Sequence, residues 1–258
     1  MTSRAASIDP VTRYARDVCA GTVVAGRLVR LACQRHLADL DQQQAKGLEW
    51  RPAAAQEVID FFAEVLCLPE KTDSGESIED SEVPVGEGTP FLLQPWQQFI
   101  VGSLFGWYTA KGFRRFRVGF LEVSKGAGKT PLCAGCLLYM LVADGELGAQ
   151  LFTAAVTKDQ AKLAYTDAER MVQASPALRA LVDQKVNNLA VLETGSFLRP
   201  VSSEKRGLDG KRVHGAVIDE EHEHPTATVY LKMRAGTKGR RNALILIPTN
   251  SGFDLESV

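Results

Sequence analysis

No apolar run in this 258-residue chain comes near the roughly 20 residues that cross a bilayer, and the N-terminus carries no apolar signal core. A cytoplasmic protein with no membrane partner is therefore expected. Cysteine is scarce and odd in number, with five at positions 19, 33, 67, 133 and 136. Such irregular spacing excludes a disulfide framework. Cys133 and Cys136 form one CxxC without a second pair, so buried thiols are expected there rather than zinc. Neither sign of charge dominates: 30 Lys and Arg against 31 Asp and Glu leave −1. Any contact with a polyanion must then be local or shared among subunits. Internal repeats are absent. The 45% of hydrophobic residues still suffices for a real core.

Helical periodicity fills residues 1–69. Val11, Tyr14, Ala15 and Val18 fall on one face, Leu28, Leu31, Ala32 and Leu40 on a second, and Val58, Phe61, Phe62 and Val65 on a third. Residues 70–89 hold seven acids, three glycines and one proline, which predicts an exposed linker. A further domain is expected over 90–258. It opens with Pro95 in a helix's first turn and an apolar face of Trp96, Phe99, Ile100, Leu104 and Trp107. Gln97 in that helix would offer an adenine edge one donor and one acceptor. Strands are predicted at 117–123, built around Val118 and Phe120, and at 149–156, 213–219 and 243–248. Helices separate them over 130–142, 157–172 and 230–235, and 186–201 reads as a hairpin about Glu193-Thr194-Gly195. Such alternation predicts an α/β fold, a mostly parallel central sheet flanked by helices and preceded by an N-terminal helical region. Ligands of such sheets sit at the strands' carboxyl ends.

Two stretches carry chemistry. Ser124-Lys125-Gly126-Ala127-Gly128-Lys129-Thr130 follows one strand and opens a helix. It keeps the Gly-Lys-Thr end of a phosphate loop, although Val123 stands where the leading glycine belongs. Gly126, Ala127 and Gly128 let successive backbone N–H groups curl around an anion, and the helix adds its positive end. Lys129 would meet the β- and γ-phosphates, and the Thr130 hydroxyl would ligate Mg²⁺. The second stretch, Ala216-Val217-Ile218, is a buried strand that ends in Asp219-Glu220. Asp219 would hold Mg²⁺ through its water shell. Glu220 points elsewhere, because successive side chains alternate, and would polarise the attacking water. His222-Glu223-His224 cannot converge on one metal from a single helix or strand.

Three stretches in this order resemble the large terminase subunit, the DNA-packaging motor of tailed bacteriophages. They are Leu93-Gln94-Pro95-Trp96-Gln97 running to Phe105-Gly106-Trp107, then 123–130, then Gly207-Leu208-Asp209-Gly210 leading into 217–222. The likeness covers roughly Pro90 to Asp254. It implies an additional-strand P-loop NTPase hydrolysing ATP with Mg²⁺, with Gln97 at adenine, Asp219 on the metal and Glu220 as the catalytic glutamate. Lys125 matches a basic residue, often Arg, that stands before the Gly-Lys pair. Thr249, Asn250, Ser251 and Gly252 match a coupling motif. The implied motor is a homo-oligomeric ring, which needs an arginine in trans at the neighbour's γ-phosphate. Arg206 is the first candidate and Arg212 the second, with a surface charge as the alternative for each. Lys232, Arg234, Lys238, Arg240 and Arg241 either track a DNA backbone or form a solvated face. The implied partners are double-stranded DNA, the small terminase subunit and the portal protein, met in the host cytoplasm at a procapsid vertex. The family's nuclease domain has no room before Val258, so no cleavage is expected. A helicase-like ATPase and a non-hydrolysing nucleotide-binding scaffold are the alternatives.

Overall fold

A computed structural model describes residues 8–69, 88–155, 157–202, 210–219 and 226–250. Residues 70–87 of the expected 70–89 linker, Arg206, the turn at 207–209, Glu220, His222, His224, Ser251 and Gly252 lie outside the described residues. Contacts divide the chain into two compact units. One is Met1–Phe61 with Leu92–Phe116, and the other is Phe62–Phe91 with Arg117–Val258.

In chain order the elements begin with α1 (Pro10–Ala20), α2 (Arg27–Gln42), β1 (Leu48–Trp50) and α3 (Pro52–Glu64). Short strands β2 (Cys67–Leu68) and β3 (Thr89–Pro90) follow, then α4 (Pro95–Gly106), β4 (Trp107–Thr109) and β5 (Val118–Glu122). Next come α5 (Lys129–Val142), β6 (Gln150–Ala155), α6 (Lys158–Ala174) and α7 (Pro176–Leu181). The last are β7 (Asp183–Lys185), β8 (Asn188–Val191), β9 (Ser196–Ser202), β10 (Val213–Ile218), α8 (Thr228–Gly236) and β11 (Leu244–Thr249).

In the first unit, Asp9 caps α1 by accepting from the Thr12 N–H at 2.9 Å, and Gly21 ends it at φ 80°. Helix α4 comes so close to α1 that a Cβ on Gly102 would lie 2.3 Å from Val11 Cγ2. Trp107 does not continue α4 as its sequence face suggests. It starts β4, opposite Trp50 of β1, with ring centroids 5.2 Å apart. The turn is fixed by Gly106, whose carbonyl accepts from the Arg51 N–H at 2.9 Å and whose missing Cβ leaves room for the Trp50 ring. His36 sits between elements at 3% exposure. Its Nδ1 accepts from the Trp107 indole at 3.0 Å, so its proton is on Nε2, facing Thr12 Oγ1 at 3.1 Å. Thr12 in turn donates to Asp9 at 2.8 Å. Each buried polar group in that relay has a partner.

The second unit is a seven-stranded sheet in the order β5-β11-β10-β6-β9-β8-β7. The first five run parallel, β8 runs antiparallel to β9, and β7 runs antiparallel to β8 and so in the direction of the five. All residues of β10 and β11 are buried, as a strand covered on both faces requires. Helix α6 starts in a capping box, with Thr157 Oγ1 accepting from the Gln160 N–H at 3.3 Å. Its residues Ala161, Ala164, Tyr165, Ala168, Met171 and Val172 are buried at the expected spacing. The hairpin at 193–195 joins β8 to β9. Phe120 departs from expectation: β5 is an edge strand, and this ring is 62% exposed.

Candidate functional site

Strand β5 delivers the chain into the loop 123–128, and α5 carries it away. Gly126 and Gly128 have φ of 82° and 76°, the left-handed region that a side chain disfavours. A Cβ on Gly126 would meet nothing within 4 Å, so this glycine is needed for its backbone angle rather than for space. Between them the Ala127 N–H turns back to the Ser124 carbonyl at 3.3 Å. Ser124, Lys125 and Gly126 are exposed, whereas Lys129 is only 8% exposed at the head of α5. Val123, at the position of the missing glycine, donates its N–H to the Thr249 carbonyl at 3.0 Å. The loop is thus tied to the end of β11, and with it to the first residue of the expected coupling motif. Thr249 also pairs in register with Glu122.

Asp219 follows β10, with β11 between it and the loop strand. It is 8% exposed, and its Oδ2 accepts from Thr130 Oγ1 at 3.2 Å, across 89 residues of sequence. The two stretches that the sequence marks for chemistry therefore meet. Among the described residues no group of three or more His, Cys, Asp or Glu could hold a metal. One hydroxyl and one carboxylate remain, two hard oxygens of the kind Mg²⁺ takes when phosphates and water complete its shell.

The surroundings bear on that carboxylate. Burial pushes Asp167 of α6 up to about 6; Arg170 pulls against this, and the nearby negative charge of Asp219 adds to it. Burial likewise holds the Cys133 thiol far above its ordinary range, helped by Cys136 and Asp219 and opposed by Lys129. Cys133 and Cys136 are both buried in α5. Asp167 escaped the sequence reading because its helix looks like an apolar face with ordinary acids behind it.

Gln97 belongs to α4 in the first unit, 6% exposed, and its Oε1 accepts from the Gln94 N–H at 2.8 Å. That bond is the back half of a capping box, so the amide oxygen already has a helix-starting role. Asn250 is described, directly after β11. Arg212 gives its backbone N–H to Gln150 Oε1 at 3.0 Å.

An anion cradled by the loop amides would lie against the Thr130–Asp219 pair, with one extra strand separating their two strands. That is the layout of P-loop nucleotide-binding proteins of the additional-strand class. The family model described as "Terminase large subunit, ATPase domain" matches residues 95–258, and the chain belongs to this family. Among solved structures, the HK97 bacteriophage large terminase superposes with a TM-score of 0.59 at 22% identity. The match covers 76% of this chain and 37% of that one, and it supports the fold. Protein YmfN of Escherichia coli strain K12 is 40% identical over 52 residues, 20% of this chain and 11% of that protein. The matched part thus amounts to well under half the length of either relative.

Proposed function

We propose that the chain is the ATP-hydrolysing motor part of a terminase large subunit, which moves double-stranded DNA into a procapsid. The observation that carries this reading is the Thr130–Asp219 contact at 3.2 Å, which joins an anion-binding loop to a strand-end carboxylate. ATP is the substrate that such a pair suits. Mg²⁺, held by Thr130 and Asp219 with the substrate's own oxygens, would neutralise phosphate charge. Lys129 and the amides of 124–130 hold the β- and γ-phosphates and take up the charge that builds between them. Glu220 orients a water in line with the γ-phosphorus and accepts its proton. The new P–O bond forms as the bond to the β-phosphate oxygen breaks, giving ADP and phosphate.

Loss of the γ-phosphate would be felt at Thr249, whose carbonyl holds the first residue of the loop. From there Asn250, Ser251 and Gly252 would pass the change on. Lys125 lies exposed in the loop, free to meet a phosphate when one arrives. Arg206 would serve a neighbour in a homo-oligomeric ring, and Gln97 would meet the base. The small terminase subunit and the portal protein are the partners of such a motor, and the host cytoplasm its compartment. The domain limits proposed are 1–69, 70–89 and 90–258.

Single-turnover ATP hydrolysis by the wild type against Glu220→Gln tests the assignment. A drop of about 10²-fold or more is expected for a lost general base. Equal rates would instead favour a nucleotide-binding scaffold. Stimulation by single-stranded rather than duplex nucleic acid would favour the helicase-like alternative.

A further inference from the structure

Five cations crowd into 232–241, and no acid occurs anywhere over 226–250. The structure separates these charges by task. Arg240 is committed inward: its guanidinium bonds the Glu146 carboxylate and the carbonyls of Leu147 and Gly148. Arg234 and Lys238 point the other way, and both are exposed. A third cation joins them from more than a hundred residues upstream. Arg117, at the amino end of β5, is exposed and donates from one guanidinium nitrogen to the carbonyls of Thr237 and Arg240, at 3.0 and 2.9 Å. Those two bonds fix its position without neutralising it. Together the three charges line a groove of about 450 Å³ whose remaining walls are Val118, Leu231, Ala235, Thr237 and Ile245.

None of the three has a carboxylate partner among the described residues. Among the described residues Arg234 is steadied by Tyr230 alone, whose hydroxyl accepts from it at 3.1 Å. A protein of net charge −1 thus keeps three unneutralised cations converging on one concave surface, drawn from β5 and from the α8 region. Guanidinium groups suit phosphate because their forked N–H pairs match two oxygens at once. We infer that this groove holds the phosphate backbone of duplex DNA, a reading that rests on the DNA-translocating function proposed above. The groove lies at the amino end of the strand whose carboxyl end becomes the phosphate loop. Backbone contact at one end of β5 and nucleotide at the other are therefore a single strand apart.

The test uses the whole 258-residue chain and a 30-base-pair duplex. Arg234→Gln combined with Lys238→Gln should weaken duplex binding at least tenfold, with unchanged basal ATP hydrolysis and melting temperature. The slope of log affinity against log salt should become shallower by roughly 0.9 for each phosphate that the variant no longer neutralises. Acetylation footprinting supplies a second reading. Duplex should protect Lys238 while leaving the exposed Lys185 of β7 reactive. Wild-type affinity in the double variant would overturn the groove while leaving the motor reading intact. A wild-type chain that hydrolyses ATP but binds no duplex would overturn both the groove and the DNA assignment. Protection of Lys238 by polyglutamate but not by duplex would reassign the groove to an acidic polypeptide.

Discussion

The two ends of the central sheet treat their polar groups in opposite ways. At the amino ends, the groups lock connections together. The buried His214 at the start of β10 bonds Asp144 beyond α5 at 2.8 Å, and Arg240 is clamped to Glu146 and its neighbours. Ser196 Oγ accepts from the Ala149 N–H at 3.0 Å. At the carboxyl ends, an exposed loop presents backbone amides, and Thr130 leans on Asp219. At the amino end these bonds fix where the strands begin, and the cations of the Arg117 groove are left facing outward. The other end exposes Ser124, Lys125 and Gly126 of the loop to solvent. A parallel sheet makes this division natural, since its five contiguous parallel strands point their carboxyl ends the same way.

If that division holds, mutations at the two ends should separate activity from stability. The largest effect belongs to the carboxyl end. Lys129→Ala, or Asp219→Asn, should slow single-turnover ATP hydrolysis by about 10²–10³-fold, the range for losing one charge-stabilising group. Melting temperature should barely move. A Lys129→Ala chain that binds and hydrolyses nucleotide like the wild type would break the comparison outright.

Next in size is the amino end. Arg240→Ala removes charge-assisted hydrogen bonds from a mostly buried guanidinium and should cost about 1.5–3 kcal/mol of stability. Urea unfolding would read this loss. Hydrolysis per folded molecule should stay at the wild-type value, because nothing at the loop changes. A large loss of turnover without a loss of stability would mean that the two ends are not independent.

How far this division could be seen in advance differs between the ends. At the site end the meeting of the two marked stretches was legible: Gly126 and Gly128 take the left-handed angles their spacing suggests, and Thr130 reaches Asp219. The parallel strands were legible too, from continuous apolar runs such as Leu244–Pro248. The amino end was not. Arg240 reads in sequence as one of five equal charges, and only packing shows that it turns inward while Arg234 and Lys238 remain outside. Phe120 departs for a related reason: a strand's apolar residue gives no sign of whether its strand lies at an edge. Trp107 sits at helical spacing after Leu104, yet Gly106 and its contact with Trp50 break the helix first. Such outcomes depend on tertiary neighbours, which local patterns do not contain.

The smallest expected effect sharpens the contrast by asking what a fully saturated relay does when pH changes. Burial lowers the His36 pKa from its ordinary 6.5 to about 4, with Asp9 and Asp39 pulling upward and Arg35 and Arg115 downward. The folded first unit thus binds a proton less readily than the unfolded chain. Its contribution is complete above pH 6.5 and is lost as pH falls toward 4, because the unfolded state then takes up the proton. At one unit below the ordinary value the loss is about 1.4 kcal/mol. Asp39 adds little in that window. Burial alone would raise its carboxyl, but hydrogen bonds from Lys46 and Arg115 prevail and hold it below the ordinary carboxylate range. All three tryptophans, at 50, 96 and 107, belong to this unit, so intrinsic fluorescence during urea unfolding reports on it alone. The midpoint should fall between pH 7 and pH 5.5 in the wild type. In His36→Gln, which has no proton to gain, it should not shift. An identical shift in both proteins would place the titrating group elsewhere.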